Sequence, residues 1–382
     1  MDTSLHAYID TVPSPCFVLE EAKLRRNLER IDSVQKAAGV TIILALKGFS
    51  MFSAFPLVRK YLSGATASSL NEIRLVNDYM DVKAHTYIPA YRDDEFNEVL
   101  ERSSHLTFNS WSQWDRFGSR AIAAGVSCGI RVNPQYSEVA TDMYNPCVPG
   151  SRLGATRDQL PDQLPEGLEG IHFHTLCEND SFTLERTLAA LEERFGDLLH
   201  QAKWVNMGGG HLMTREGYDT SHLIDLLTAF RQKYQVDVIL EPGSAIAWQT
   251  GVLVSTVLDV LNSQGIDVAI LDTSFAAHMP DTLEMPYKPR ILGSYHEPVA
   301  GKPTYRLGGM TCLAGDFMGD YSFDQPLKIG DRLVFDDMIH YTMVKTTTFN
   351  GVNLPSIGIW KEQNQFELVR TFGYDSFKDR LS

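Results

Sequence analysis

No apolar run in this sequence is long enough to cross a bilayer, and its opening, MDTSLHAYID, lacks the basic start and apolar stretch of a secretory signal. The expectation is an intracellular, cytoplasmic protein with no membrane association. Cysteine is scarce: Cys16, Cys128, Cys147, Cys177 and Cys312 are scattered, odd in number and never spaced as CxxC. That speaks against a disulfide framework or a structural zinc centre, so no metal site is expected. Basic residues are outnumbered, with 34 Lys and Arg against 48 Asp and Glu, for a net charge of −14. Such a balance argues against nucleic acid or an anionic membrane as partner and mildly favours cationic ligands, although acidity that only aids solubility explains the same number. Internal repeats and low-complexity tracts are absent as well.

What is present is an alternation of short apolar strands with amphipathic helices. The 382 residues are too many for one ordinary core, so two domains are expected. Eight segments read as strands: 41–46, 64–68, 85–88, 105–108, 127–133, 168–174, 203–207 and 236–241. Helical patterns separate most of them; in the stretch 181–199, Leu184, Leu188, Leu191 and Phe195 fall on one face. Eight repeated strand–helix units predict an α/β fold, a closed (β/α)8 TIM-like barrel over residues 20–250. Residues 135–167, rich in Pro and Gly, read as a long functional loop with a short helix at most. After residue 241 the texture becomes strand-rich, predicting a carboxy-terminal β domain over 251–382. Residues 1–19 are expected to add an edge strand, 14–19, to that domain.

A barrel of this kind presents its chemistry at the carboxyl ends of its strands. Strand one ends in Lys47, strand six in His172-Phe173-His174, strand seven in Gly208-Gly209-Gly210-His211 and strand eight in Glu241-Pro242-Gly243. Lys47 follows IILAL; an amine desolvated there suits a Schiff base with a carbonyl, though a lysine snorkelling from a strand end fits equally. The glycine triplet offers backbone N–H groups to a phosphate, or makes a tight turn. His172 and His174 are expected on opposite faces of their strand, and either taken alone reads as a packed core histidine. Glu241 can hold a proton on a pyridine nitrogen, or cap a buried salt bridge.

Together these segments resemble one family, the fold-type III pyridoxal-phosphate enzymes of the alanine racemase and ornithine/diaminopimelate decarboxylase group. ALKGF is similar to the family's cofactor-lysine motif. GATASSLNEI, HFHTLCE, NMGGGH, EPGSAI, GGMTCLAGD and MIHYTMVKTTTFNG resemble its other motifs, in family order and over nearly the whole chain. The resemblance implies that Lys47 carries pyridoxal 5'-phosphate and that His174 stacks on its ring. It implies that Gly208, Gly209, Gly210, Gly243 and Tyr341 hold the phosphate, with Ser244 partly replacing an arginine that the family commonly has there. Arg131 is expected to hydrogen-bond within the cofactor layer or to be structural.

Glu241 separates the branches of that family. A carboxylate on the ring nitrogen keeps the pyridinium protonated and makes it a strong electron sink, which favours decarboxylation. Alanine racemases place an arginine there and lack the Cys312 motif, whereas decarboxylases supply such a cysteine from a second protomer to protonate the carbanion. A homodimer with shared active sites follows from the resemblance. The missing arginine at Ser244, with Asp272, Asp281, Glu284 and Asp316 offered instead, predicts an acidic pocket for a distal amine. The run DTSFAAHMPD, with EPGSAI and TCLAGD, resembles the carboxynorspermidine/carboxyspermidine decarboxylase branch, implying a small cationic carboxylated polyamine as substrate and a place in polyamine biosynthesis. Diaminopimelate or another basic amino acid is the alternative substrate. A non-catalytic pyridoxal-phosphate-binding homeostasis protein is the reading from a different class; such proteins lack a β domain.

Overall fold

The computed structural model describes residues 9–139 and 141–382, so residues 1–8 of the expected amino-terminal segment lie outside the described residues. The chain divides into two compact units, Arg25–Ile246 and Met1–Leu24 with Ala247–Ser382.

The first unit is a parallel barrel. Its strands run Leu44–Ala45, Ala65–Ala67, Ala84–Tyr87, Ser103–Phe108, Ser127–Arg131, Leu168–His172, Trp204–Asn206 and Asp237–Leu240, and Thr41–Ile42 completes the order beyond the last. Thr41–Ile42 and Leu44–Ala45 are two halves of one strand, which closes the sheet. The N–H groups of Ile43 and Ala45 donate to Leu240 and Pro242 on one side, and those of Leu44 and Leu46 to Gly64 and Thr66 on the other. Eight strands are therefore observed where eight are expected, with strand one pivoting between its neighbours at Ile43. The helix Ser181–Leu199 starts on an Asp180 side chain that caps the Thr183 N–H, and it buries Leu184, Leu188, Leu191 and Phe195. In residues 135–167 the described chain forms only the one-turn helices Asp142–Tyr144 and Arg157–Gln159.

Side chains two residues apart on a strand share a face, and contacts between non-adjacent strands show which face is inside. Trp204 lies against Gly129 and Gly170 and packs with Ile43 and Ile239, filling the amino-terminal end of the barrel. Its indole N–H donates to Ser127 Oγ at 2.9 Å. A Cβ on Gly170 would sit 2.0 Å from the indole, so the bulk of Trp204 is possible only because residue 170 has none. Gly170→Ala is expected to cost about 1–3 kcal/mol through overpacking, read as a lower denaturant midpoint; an unchanged midpoint would show that the indole can shift aside.

The second unit is a nine-stranded mixed sheet. Its main path runs Ser294–Tyr295, Phe317–Phe323, Thr304–Gly308, Ile266–Leu271, Gly251–Ser263, Cys16–Glu20, Ser356–Trp360 and Phe366–Arg370, and Arg332–Asp336 also pairs with Gly251–Ser263. One expectation is corrected here. The amino-terminal strand is not at an edge: Cys16–Glu20 pairs antiparallel with Gly251–Ser263 and parallel with Ser356–Trp360. All five of its residues are buried, which suits the unbroken apolar run CFVL better than an exposed edge would.

Candidate active site

Period-two alternation carries the barrel interior upward from Trp204 to its carboxyl rim. Arg131 lies over the ring of Tyr87 at 4.7 Å, and Tyr87 packs on His172 at 5.3 Å between ring centres. Tyr87 comes from a strand adjacent to neither of the other two, so all three point inward. His172 Nε2 is also 3.8 Å from Glu241 Oε2. His172 and His174 therefore face the same way, and the expectation of opposite faces is corrected: a two-residue step returns to the same side, and Phe173, fully buried, is the residue that points outward.

At the rim, Lys47 Nζ is 3.1 Å from His174 Nε2. Gly209 N–H donates to His174 Nδ1 at 3.0 Å, so that nitrogen carries no proton. A neutral imidazole then bears its proton on Nε2 and donates it to Lys47, which can accept only as an uncharged amine. The electrostatics agree. Burial holds the His174 pKa well below its ordinary value, and the Arg131 charge acts in the same direction. Burial and the Arg131 guanidinium lower that of Lys47, against a smaller opposing pull from Glu241. Solvent still reaches Lys47 through the open mouth, while the protein packed around it excludes most bulk water. The arrangement presents a free-base amine to an incoming carbonyl.

Glu241 is buried, and its Oε1 accepts from Asn206 Nδ2 at 2.6 Å. Burial raises its pKa, opposed by hydrogen bonds from Asn206 and Thr66 and by the charges of Lys47 and Arg131. Asn206 is a functional position that sequence reasoning missed. Its Oδ1 accepts from Gly208 N–H at 2.9 Å, so one amide ties the carboxylate to the glycine loop. Its position inside NMGGGH was the available signal. Gly208 and Gly210 adopt positive φ, and a Cβ on Gly209 or Gly210 would come within 2.5 or 2.2 Å of the carbonyl oxygens of Glu241 and Leu176. Gly48 is equally confined: a Cβ there would lie 2.7 Å from Gly243 Cα. Arg131 donates to the His174 carbonyl at 3.1 Å, which fixes the histidine backbone. Ser244 Oγ donates to Glu178 Oε1 at 3.3 Å, and Glu178 too was not anticipated.

The other expected residues belong to the β unit. Cys312 donates to Asn350 Oδ1 through both its N–H, at 2.9 Å, and its Sγ, at 3.0 Å. Its thiol is exposed and held as a donor. Tyr341 is half-buried with φ of 49°, and its carbonyl accepts from Lys345 N–H. The four acids differ sharply from one another. Asp316 accepts from the N–H groups of Phe275, Ala276 and Thr311 and from Thr311 Oγ1, which uses both oxygens to build a turn. Asp272 accepts from Ser14 Oγ, Ser255 Oγ and Thr256 N–H, joining strands distant in sequence. Glu284 is paired with Lys345. Asp272 and Asp316 are thus engaged by donors of their own unit, whereas Glu284 is paired through one oxygen only. Asp281 is different: Oδ2 accepts from Tyr287 and Thr342 hydroxyls at 2.8 Å, while its buried Oδ1 has no hydrogen-bond partner among the described residues.

Residues 16–339 match the family model described as "Pyridoxal-dependent decarboxylase, C-terminal sheet domain". Over 374 residues the chain is 51% identical to the carboxyaminopropylagmatine decarboxylase of Synechocystis sp., a match covering 98% of this chain and 96% of that protein. It is 43% identical over 383 residues to the carboxynorspermidine/carboxyspermidine decarboxylase of Campylobacter jejuni, covering 98% and 100%. The crystal structure of carboxynorspermidine decarboxylase from Campylobacter jejuni, complexed with norspermidine, has a TM-score of 0.90 at 42% identity, covering 97% of this chain and 100% of that one.

Proposed function

The chain belongs to the pyridoxal-dependent decarboxylases, and we propose that it decarboxylates carboxynorspermidine and carboxyspermidine to norspermidine and spermidine, within polyamine biosynthesis in the cytoplasm. One observation carries the chemistry: the Lys47 amine, its pKa lowered by burial and Arg131, lies against His174 Nε2 on the same rim as the glycines and Glu241. Full-length likeness to enzymes named for carboxylated polyamines supports the substrate class.

The residues fit pyridoxal 5'-phosphate. The glycines at 208–210 let the chain turn tightly against the His174 and Glu241 strand ends, where any Cβ would collide with protein atoms, and so keep side chains out of that turn. Lys47 would tether the cofactor, Gly208, Gly209, Gly210, Gly243 and Tyr341 would hold its phosphate, and His174 would lie on its face. When bound, the cofactor supplies an electron sink for the pair left behind as carbon dioxide departs. Glu241 holds a proton at the buried end of the site. Arg131 braces His174 and, together with burial, favours the unprotonated Lys47 amine.

In this reading Cys312 returns a proton to the α-carbon, exchanging its hydrogen bond to Asn350 Oδ1 for the substrate. Because Cys312 and Tyr341 belong to the β unit, this reading includes a homodimer in which each protomer completes the other's site. Asp281 is the acid of the β unit retained for an amine within the substrate's chain, through its Oδ1, which has no hydrogen-bond partner among the described residues.

A second substrate is favoured by one specific finding. At 51% identity, the Synechocystis relative is named for carboxyaminopropylagmatine, which ends in a guanidinium instead of an amine. The deciding measurement is carbon dioxide release from carboxynorspermidine, carboxyspermidine, carboxyaminopropylagmatine, diaminopimelate and ornithine. Carboxylated polyamines are expected to exceed diaminopimelate in kcat/KM by on the order of 100-fold or more, because a distal carboxylate would meet uncompensated acids. Preference for diaminopimelate or ornithine would end the proposal.

A further inference from the structure

Ser244 follows Gly243 directly, and its N–H lies 3.4 Å from the Cβ position of Gly48, the residue next to Lys47. Its hydroxyl reaches Glu178 on the loop after His174. That loop is fixed on three sides. Asn179 N–H donates to Gly210 O at 2.9 Å, Leu212 N–H donates back to Asn179 O, and Cys177 N–H donates to Asn179 Oδ1. Glu178 itself sits at φ of 53°, a left-handed conformation unfavourable for a non-glycine residue, and Arg215 captures its carbonyl. Its carboxylate is thus held at the mouth with Ser244 on Oε1, and among the described residues no cation pairs with it. The same loop packs on the glycine cradle, where Leu176 O occupies the space a Gly210 Cβ would need.

An anion placed beside a phosphate cradle without a counter-charge is electrostatically unfavourable, unless a cation arrives with the substrate. We propose that Glu178, positioned by Ser244, is the specificity-determining residue that receives the distal cation, amine or guanidinium, of the substrate. This inference rests on the polyamine reading above. Serine at 244 offers Glu178 a hydroxyl and no positive charge, so the Ser244–Glu178 pair leaves that side of the pocket negative.

The test compares wild type, Glu178→Gln and Glu178→Asp with carboxynorspermidine and carboxyaminopropylagmatine, after the cofactor's absorbance has shown each variant loaded. Glu178→Gln is expected to raise KM about 10- to 100-fold with kcat nearly unchanged, the pattern of a lost contact made equally in ground and transition states. The substrate with the larger loss identifies the cation the pocket is built for. Glu178→Asp, which keeps the charge, should recover part of the loss. Without substrate, Glu178→Gln should bind pyridoxal phosphate at least as tightly as wild type, because a negative charge has left the cradle; a purely structural role would weaken it. An unchanged KM for both substrates in Glu178→Gln, with wild type active, overturns the assignment of Glu178 alone. A wild type inactive on both overturns the function and this inference together.

Discussion

Lys47→Ala is expected to abolish the cofactor's absorbance band and to lower kcat by on the order of 10³-fold or more, the scale lost with a covalent catalytic group. Fold and stability should hardly change. The side chain reaches solvent through the open mouth, and its one hydrogen-bond partner, His174 Nε2, can turn to water instead. Activity loss with an intact unfolding transition is therefore the diagnostic combination. The wild type carries a linked pH signature. Because burial and Arg131 depress the Lys47 pKa, the amine stays uncharged at lower pH than an ordinary lysine. Cofactor uptake by the apoprotein should rise with pH and level off earlier than it does for a free lysine amine. A band that survives in Lys47→Ala, or a wild type with none, would remove the basis of the proposed chemistry.

Glu241→Gln is expected to lower kcat by about 10²- to 10⁴-fold while leaving cofactor binding nearly intact. Glutamine keeps an oxygen for Asn206 Nδ2 and for Thr66, so the link to the glycine loop persists. What it loses is the negative charge that holds a proton on the ring nitrogen. Stability should move the other way. Burial raises the Glu241 pKa, so the folded state holds that proton more tightly than the unfolded chain. Wild type then gives up stability as pH rises above the ordinary carboxylate range, and Glu241→Gln does not. Urea denaturation across pH 4–8 separates the two curves. Full activity in Glu241→Gln would show that the carboxylate is structural.

Much of this was legible before any coordinates. IILALK states a buried strand with a lysine at its end, and four such strand ends carry Lys47, His174, the glycines and Glu241. The same-face placement of His172 and His174 was legible as well, since a strand repeats every two residues; the opposite expectation misapplied that period. The interior position of Cys16–Glu20 was harder to see. Both partners lie more than two hundred residues away in sequence, and no local pattern announces them.

The acids mark the boundary most clearly. Asp272, Asp281, Glu284 and Asp316 look alike as letters, and their number and sign alone predict a cationic ligand. Asp272 meets Ser14 across 258 positions of chain and Asp316 meets Phe275 across 41, so the donors that occupy them could not be counted in advance. The sequence by itself determined the alternation, the order of the motifs and the residue at the tip of each strand, because these follow from spacing between near neighbours. Tertiary structure decided which donors each acid meets, that His174 Nδ1 faces the Gly209 N–H, and that Glu178 stands on Ser244. Each of those depends on a hydrogen-bond partner that only the folded chain brings within about 3 Å.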